Sequence, residues 1–179
     1  MKGWKTLGAV ALVTVGLTIV ALARVTPSPQ AAPEEAISGT ITATRIITQN
    51  ARLTGDVTCT VVGAACIQFG APGITLNLSG FTITGSGDPS TGCQGTVTGT
   101  EGGIVANNQT DVTIKGPGLV QRFRGDGIFL FNSSRIRVVN VTASTNCLSG
   151  IRLNNSSDSH IESNVSVRNG NTEAPCGGL

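Results

Sequence analysis

Five aromatic and charged side chains in the second half of the chain are the best candidates for binding a ligand. Phe129 and Arg152 stand 23 residues apart, and Arg122, Arg124 and Asp126 come shortly before Phe129. An aromatic ring beside a guanidinium can hold an acidic sugar chain by stacking and ion pairing. The alternative is a surface Phe covered by its neighbours, with an Arg side chain lying over the ring. The residue types alone leave both interpretations open.

Three other charged residues recur at a regular spacing. Asp111, Arg135 and Asp158 are separated by 24 and 23 residues. Two aspartates brought together could form a metal site or an acid/base pair, but the arginine between them would repel a cation. We therefore predict a surface ion-pair ladder, which contributes little to stability. With His160 as its one histidine and no C-x-x-C pair, the chain also lacks the usual zinc spacing, so we expect no metal site.

These spacings come from an internal repeat of about two dozen residues. Gly103–Asn108, Gly127–Asn132 and Gly150–Asn155 each read as Gly, apolar, variable, apolar and then a turn residue, and Gly178 starts the unit again. Extra residues between 85 and 102 indicate a loop insertion that carries Cys93. Short strands at a fixed repeat predict a solenoid. An antiparallel sandwich also has many short strands, but it does not explain equivalent residues at equivalent positions.

Two segments before the repeat connect it to a known family. Gly73–Gly85 and Leu53–Cys59 resemble the opening coil of secreted bacterial right-handed parallel β-helix proteins of the pectate-lyase-like and NosD-like kinds. The resemblance extends over residues 37–179 and implies an all-β, right-handed parallel β-helix. Members of the family often have a Cys before the first strand, where this chain has Ile37, Ser38 and Gly39. We expect Cys59 to close a short loop with Cys66 instead.

In such a fold, equivalent residues of neighbouring coils lie about 4.8 Å apart, so the columns can be predicted. Cys147 and Cys176 fall at near-equivalent positions before Gly150 and Gly178, which predicts a disulfide between them. Val105, Phe129 and Arg152 should form one outward column. The predicted core columns are Ile67, Ile104, Ile128, Ile151 and Leu179; Phe69, Ala106, Leu130 and Leu153; Ile74, Val112 and Ile136; and Leu76, Ile114 and Val138.

The start of the chain has the layout of an export signal. Lys2 and Lys5 precede an apolar run of 17 residues, 7–23, and Arg24 ends that run. We predict a signal peptide and linker over residues 1–32 and a β-helix domain over residues 33–179 that is truncated at its C-terminus. A membrane anchor is the alternative reading of the run. The protein is then secreted or periplasmic, with no stable membrane span once the signal is removed.

Charge and composition narrow the function classes. The net charge of +2 falls to about zero without the signal's cations, which argues against a nucleic-acid partner. We expect a non-catalytic module that binds a polysaccharide, a cell-surface glycan or another surface. The alternative is a polysaccharide lyase or hydrolase, since the ten acidic residues are scattered but the active site could lie on missing coils. Whether the chain is an enzyme therefore stays open.

No cofactor is expected, and calcium would enter only with the lyase alternative. The NosD-like resemblance implies a periplasmic copper-site accessory protein. Such a protein would need His, Met or Cys ligands. The chain has one His, and its one Met is the initiator, which argues against this possibility.

Overall fold

Short β-strands account for nearly all the regular structure of the chain. The structure is a computed structural model, and it describes residues 33–91, 93 and 101–170. Within these residues a single 3₁₀ turn, Pro89–Thr91, accompanies fifteen strands. The strands are β1 Glu35–Ile41, β2 Arg45–Ile47, β3 Ala51–Cys59, β4 Ile67–Phe69, β5 Thr75–Asn77, β6 Thr82–Thr84, β7 Ile104–Asn107, β8 Thr113–Lys115, β9 Leu119–Gln121, β10 Ile128–Phe131, β11 Arg137–Val139, β12 Thr142–Ser144, β13 Ile151–Asn154, β14 His160–Glu162 and β15 Val165–Val167.

The strands stack in parallel on three faces. One sheet has the order β2, β4, β7, β10, β13. The other is joined in the middle by the long strand β3, which pairs with β5 at one end and β6 at the other. From β3 one arm continues through β8, β11 and β14, and the second through β9, β12 and β15. From β4 onward each coil thus contributes one strand to each face, whereas β3 spans two faces of the coil before it. This arrangement confirms the expected all-β parallel β-helix.

The apolar columns predicted from the repeat fill the interior over the described residues, and Leu179, the last predicted member, lies outside them. Ile67, Ile104 and Ile128 are fully buried in register across β4, β7 and β10. Every member of the two columns on the second wall is also at least nine-tenths buried. Leu153 differs: it lies in register with Leu130 on the last coil that the structure describes, and it is 43% exposed.

The corners of the coils repeat a strained backbone conformation. Asn108, Asn132 and Asn155 follow the first strand of their coils with φ of 54°, 47° and 49°. Asparagine tolerates this left-handed region better than other side chains with a Cβ. The Nδ2 group of Asn155 donates to Oδ1 of Asn132 at 2.6 Å. All three asparagines therefore turn the chain, and Asn132 and Asn155 also connect adjacent coils.

One corner is held by a buried asparagine. Asn146 is fully buried, and its Oδ1 accepts the backbone N–H of Phe123 at 3.1 Å. Its Nδ2 donates to the carbonyl of Val120 at 3.3 Å and to Oδ1 of Asn169 at 2.9 Å. The side chain thus connects the coil before it to the coil after it, and it satisfies backbone groups that water cannot reach.

The insertion between β6 and β7 is linked to a later coil by a disulfide. Cys93 pairs with Cys147, with 5.9 Å between their Cα atoms. The predicted bond between Cys147 and Cys176 is therefore wrong. The repeat relates only equivalent positions, whereas Cys93 belongs to the insertion and has no equivalent in other coils. It pairs with Cys147 in the turn before β13. Cys176 is outside the described residues.

The signal peptide at the start of the chain stays a prediction. The predicted signal peptide and linker, residues 1–32, lie outside the described residues. Within the described part, no helix has the length and apolar character needed to cross a membrane.

Candidate functional site

The outer face of the five-stranded sheet carries the predicted outward column. Alternation along each strand turns Ile104 and Ala106 of β7 inward and leaves Val105 between them on the other side. Phe129 is the register partner of both Val105 and Arg152. The column predicted from the repeat is thereby confirmed in the backbone register.

A groove of about 380 Å³ lies on this face. Its lining is mostly apolar and consists of Gly63, Ala64, Ala65, Gln68, Val105, Asn107, Phe129 and Phe131. The rings of Phe129 and Phe131 are neighbours on β10, with centroids 5.8 Å apart and planes tilted by 31°. Two adjacent rings on an open face offer a stacking surface for a flat, partly apolar ligand.

One wall of the groove comes from the loop at residues 60–65, called here the wall loop. The disulfide between Cys59 and Cys66 closes this loop at its base, with 5.9 Å between the Cα atoms. This is the short loop expected from the sequence. The backbone N–H of Gly63 also donates to Oε1 of Glu101 at 2.6 Å. A covalent bond and a charge-assisted hydrogen bond therefore fix the wall in place.

Glu101 was not foreseen as part of this arrangement. Its side chain is nearly buried, and Oε2 lies 3.0 Å from Nε of Arg124. Arg122 pairs in the same way with Asp88 of the insertion, at 3.0 Å. Both arginines were expected at the ligand site, but the structure pairs them with carboxylates around the insertion instead. Their contact with a ligand stays a prediction.

Arg152 and Asp126 do come together beside Phe129. The guanidinium carbon of Arg152 lies 5.0 Å from the ring centroid of Phe129, within cation–π distance. Its Nη1 atom is 3.6 Å from Oδ2 of Asp126, an ion pair that is too long for a hydrogen bond. The side chain of Asp126 is fully buried, while that of Arg152 is 41% exposed. The cation therefore contacts both a ring that lines the groove and a buried carboxylate.

Burial controls the ionisation of Asp126. Loss of hydration raises the pKa of this carboxyl group, and the backbone N–H of Ser149 and the charge of Arg152 act in the opposite direction. The Ser149 N–H donates to Oδ1 at 2.9 Å. No hydrogen-bond donor reaches Oδ2 from the described residues. Perturbed carboxyl groups beside a cleft are candidates for a functional role.

The second charged column forms the surface ladder predicted for it. Nε and Nη2 of Arg135 donate to the two carboxylate oxygens of Asp111, each at 2.7 Å. These hydrogen bonds lower the pKa of Asp111. Asp158 adds an attractive charge on the other side of Arg135. All three residues are exposed, and the described residues hold no group of three His, Cys, Asp or Glu side chains that could bind a metal.

Comparison with known proteins gives one result. The model of the family described as "Periplasmic copper-binding protein (NosD)" matches residues 44–174, which covers most of the described β-helix. Searches of curated proteins and of solved structures gave no significant match.

Proposed function

The chain belongs to the NosD family, and from that premise we propose that it is an exported β-helix module that binds a glycan in the groove without acting on it. The family is described as periplasmic, which confirms the expected secreted or periplasmic location. We infer the class of ligand, a glycan, from the groove and not from the family.

Copper does not enter the proposal, because the donors in this chain do not fit a copper site. Copper sites in proteins are built from His, Cys and Met side chains. The whole chain has one His, and its one Met is the initiator. Of the five Cys residues, Cys59, Cys66, Cys93 and Cys147 are held in disulfides. Cys176 lies outside the described residues, and this Cys with one His and the initiator Met does not supply the set of ligands that a copper site needs. We therefore derive no chemistry through copper.

The paired rings of Phe129 and Phe131 carry the proposal. The apolar faces of sugar rings stack on aromatic rings, and concave sites of this kind combine apolar walls with a few polar groups. Gln68 and Asn107 supply amide donors and acceptors at the groove edge. Arg152 adds one cation beside Phe129, which suits a sugar that bears an acidic group.

The charges around the groove favour binding over hydrolysis or elimination. Glycoside hydrolases generally use two carboxyl groups that flank the scissile bond. The lining described for the groove contains no carboxylate, and the side chain of Asp126 is fully buried and paired with Arg152. Both features support a module that holds its ligand unchanged.

The test is a binding measurement on the exported protein. Isothermal titration with oligogalacturonate, oligomannuronate and a neutral oligosaccharide should detect binding to at least one of them. Phe129→Ala should weaken that binding by about 2- to 10-fold, the range for loss of one aromatic contact. Arg152→Ala should weaken binding of the acidic ligands only.

The matched control is Arg137→Ala, which removes an exposed arginine from β11 on another face. It should leave every affinity unchanged. Absence of binding to all three ligands, or equal affinities for wild type and Phe129→Ala, would overturn the proposal. Release of unsaturated sugars during the titration would instead identify a lyase.

A further inference from the structure

Arg152 contacts one residue that lines the groove, Phe129, and one that is fully buried, Asp126. This arrangement provides a means of regulating binding in the groove. The guanidinium lies over the ring of Phe129, which lines the groove, and beside the fully buried carboxylate of Asp126. Its own side chain remains 41% exposed. Donor groups of Arg152 are therefore available to a ligand from solvent, while its charge is opposed from within.

The ionisation of Asp126 determines the net positive charge that the pair presents to a ligand. An ionised carboxylate 3.6 Å away compensates the guanidinium, so the pair presents little net charge to the groove. A neutral carboxyl group leaves the positive charge uncompensated. Glu101 and Arg124 on the neighbouring turns pair with each other at 3.0 Å, so Arg152 is the charged group that acts on Asp126.

We propose that Asp126 is a proton-controlled positioning residue of the groove: its protonation frees the charge of Arg152 for an anionic ligand, so that acidic glycans bind more tightly as the pH falls. The step takes up one proton on the carboxylate of Asp126 and breaks no covalent bond. This inference rests on the proposed glycan-binding function.

The direction in which affinity changes with pH distinguishes protonation of Asp126 from protonation of the ligand. Burial raises the pKa of Asp126, so this group takes up its proton at a higher pH than an exposed aspartate would. A ligand carboxylate that becomes protonated would bind less tightly at low pH, which is the opposite trend. By linkage, an anionic ligand bound to Arg152 must raise the pKa of Asp126 further.

The experiment measures affinity at about pH 7, where an ordinary carboxyl group is ionised, and at about pH 4, near the ordinary pKa of an exposed aspartate, where a group with a raised pKa is largely protonated. The probe is a sulfated oligosaccharide, whose charge is constant over this range, and a neutral oligosaccharide serves as reference. For wild type, affinity for the sulfated probe should rise by at least about threefold on acidification, as for a partly exposed charge pair. Affinity for the neutral probe should not change.

Two variants complete the test. Asp126→Asn should bind the sulfated probe at both pH values as tightly as wild type does at the lower one. Asp111→Asn, which also removes a carboxylate paired with arginine but on another face, should keep the wild-type pH dependence. Carbon-13 NMR of the unliganded protein follows the Asp126 carboxyl directly, and its pKa should rise when the probe is added.

The outcomes separate the two proposals. If wild type binds the sulfated probe with the same affinity at both pH values, or more tightly at the higher one, the proton control is refuted and glycan binding stands. Retention of the pH dependence by Asp126→Asn also refutes it. If neither probe nor any acidic oligosaccharide binds at either pH, the glycan-binding function itself is overturned, and the inference with it.

Discussion

Replacement of Asn146 by alanine tests whether buried side-chain hydrogen bonds between coils contribute substantially to stability. The change removes three side-chain bonds, to the Phe123 N–H, the Val120 carbonyl and the Asn169 side chain. The Phe123 N–H is then left buried without an acceptor. Each buried group without a partner costs about 1–3 kcal/mol, so we expect the free energy of unfolding to fall by about 2–4 kcal/mol.

Asn50→Ala is the matched control. Asn50 is exposed, and its Oδ1 likewise accepts a backbone N–H from the next coil, that of Thr75, at 2.8 Å. Water can replace this acceptor, so the loss should be about 0.5–1 kcal/mol. Urea denaturation under oxidising conditions, followed by circular dichroism, gives both free energies. Losses that agree within error would refute the argument that burial makes the difference between the two asparagines.

Three further predictions concern the core, a turn and a disulfide. Leu130→Ala should lower the free energy of unfolding by about 2–5 kcal/mol, and Leu153→Ala should lower it clearly less, because only Leu130 is fully buried. Equal losses in urea denaturation would contradict the stacked core. Gly127→Ala should cost about 1–3 kcal/mol, since a Cβ there would lie 2.6 Å from Nδ2 of Asn146 and 2.7 Å from the carbonyl oxygen of Gly150; an unchanged melting temperature would contradict this close packing. Peptide mapping without reduction should recover Cys93 linked to Cys147, and Cys93→Ser should cost about 2–4 kcal/mol; a peptide joining Cys147 to another cysteine would contradict the pairing.

The repeat was sufficient to predict which residues share a column. Ile104, Ile128 and Ile151 recur at spacings of 24 and 23, and the backbone register places them side by side. The same spacing correctly placed Phe129 next to Arg152. A parallel β-helix makes this possible because every coil repeats the same contacts, so a sequence interval translates directly into a neighbour in space.

The parts of the site that were missed come from segments outside the repeat. The wall loop and Glu101 have no equivalent in other coils, so no interval relates Gly63 to Glu101. Arg124 pairs with this carboxylate, which spacing could not reveal. Asn146 is different, because its interval of 23 residues to Asn169 was a usable signal that residue-type arguments passed over.

The insertion between β6 and β7 has a practical consequence for protein engineering. Ile67 and Ile104 remain register partners although 37 residues separate them, whereas later coils need 24 or 23. Extra length at this corner is therefore absorbed without disturbing the stacking of the coils. A foreign peptide grafted there would be carried by a scaffold that does not have to be redesigned for it.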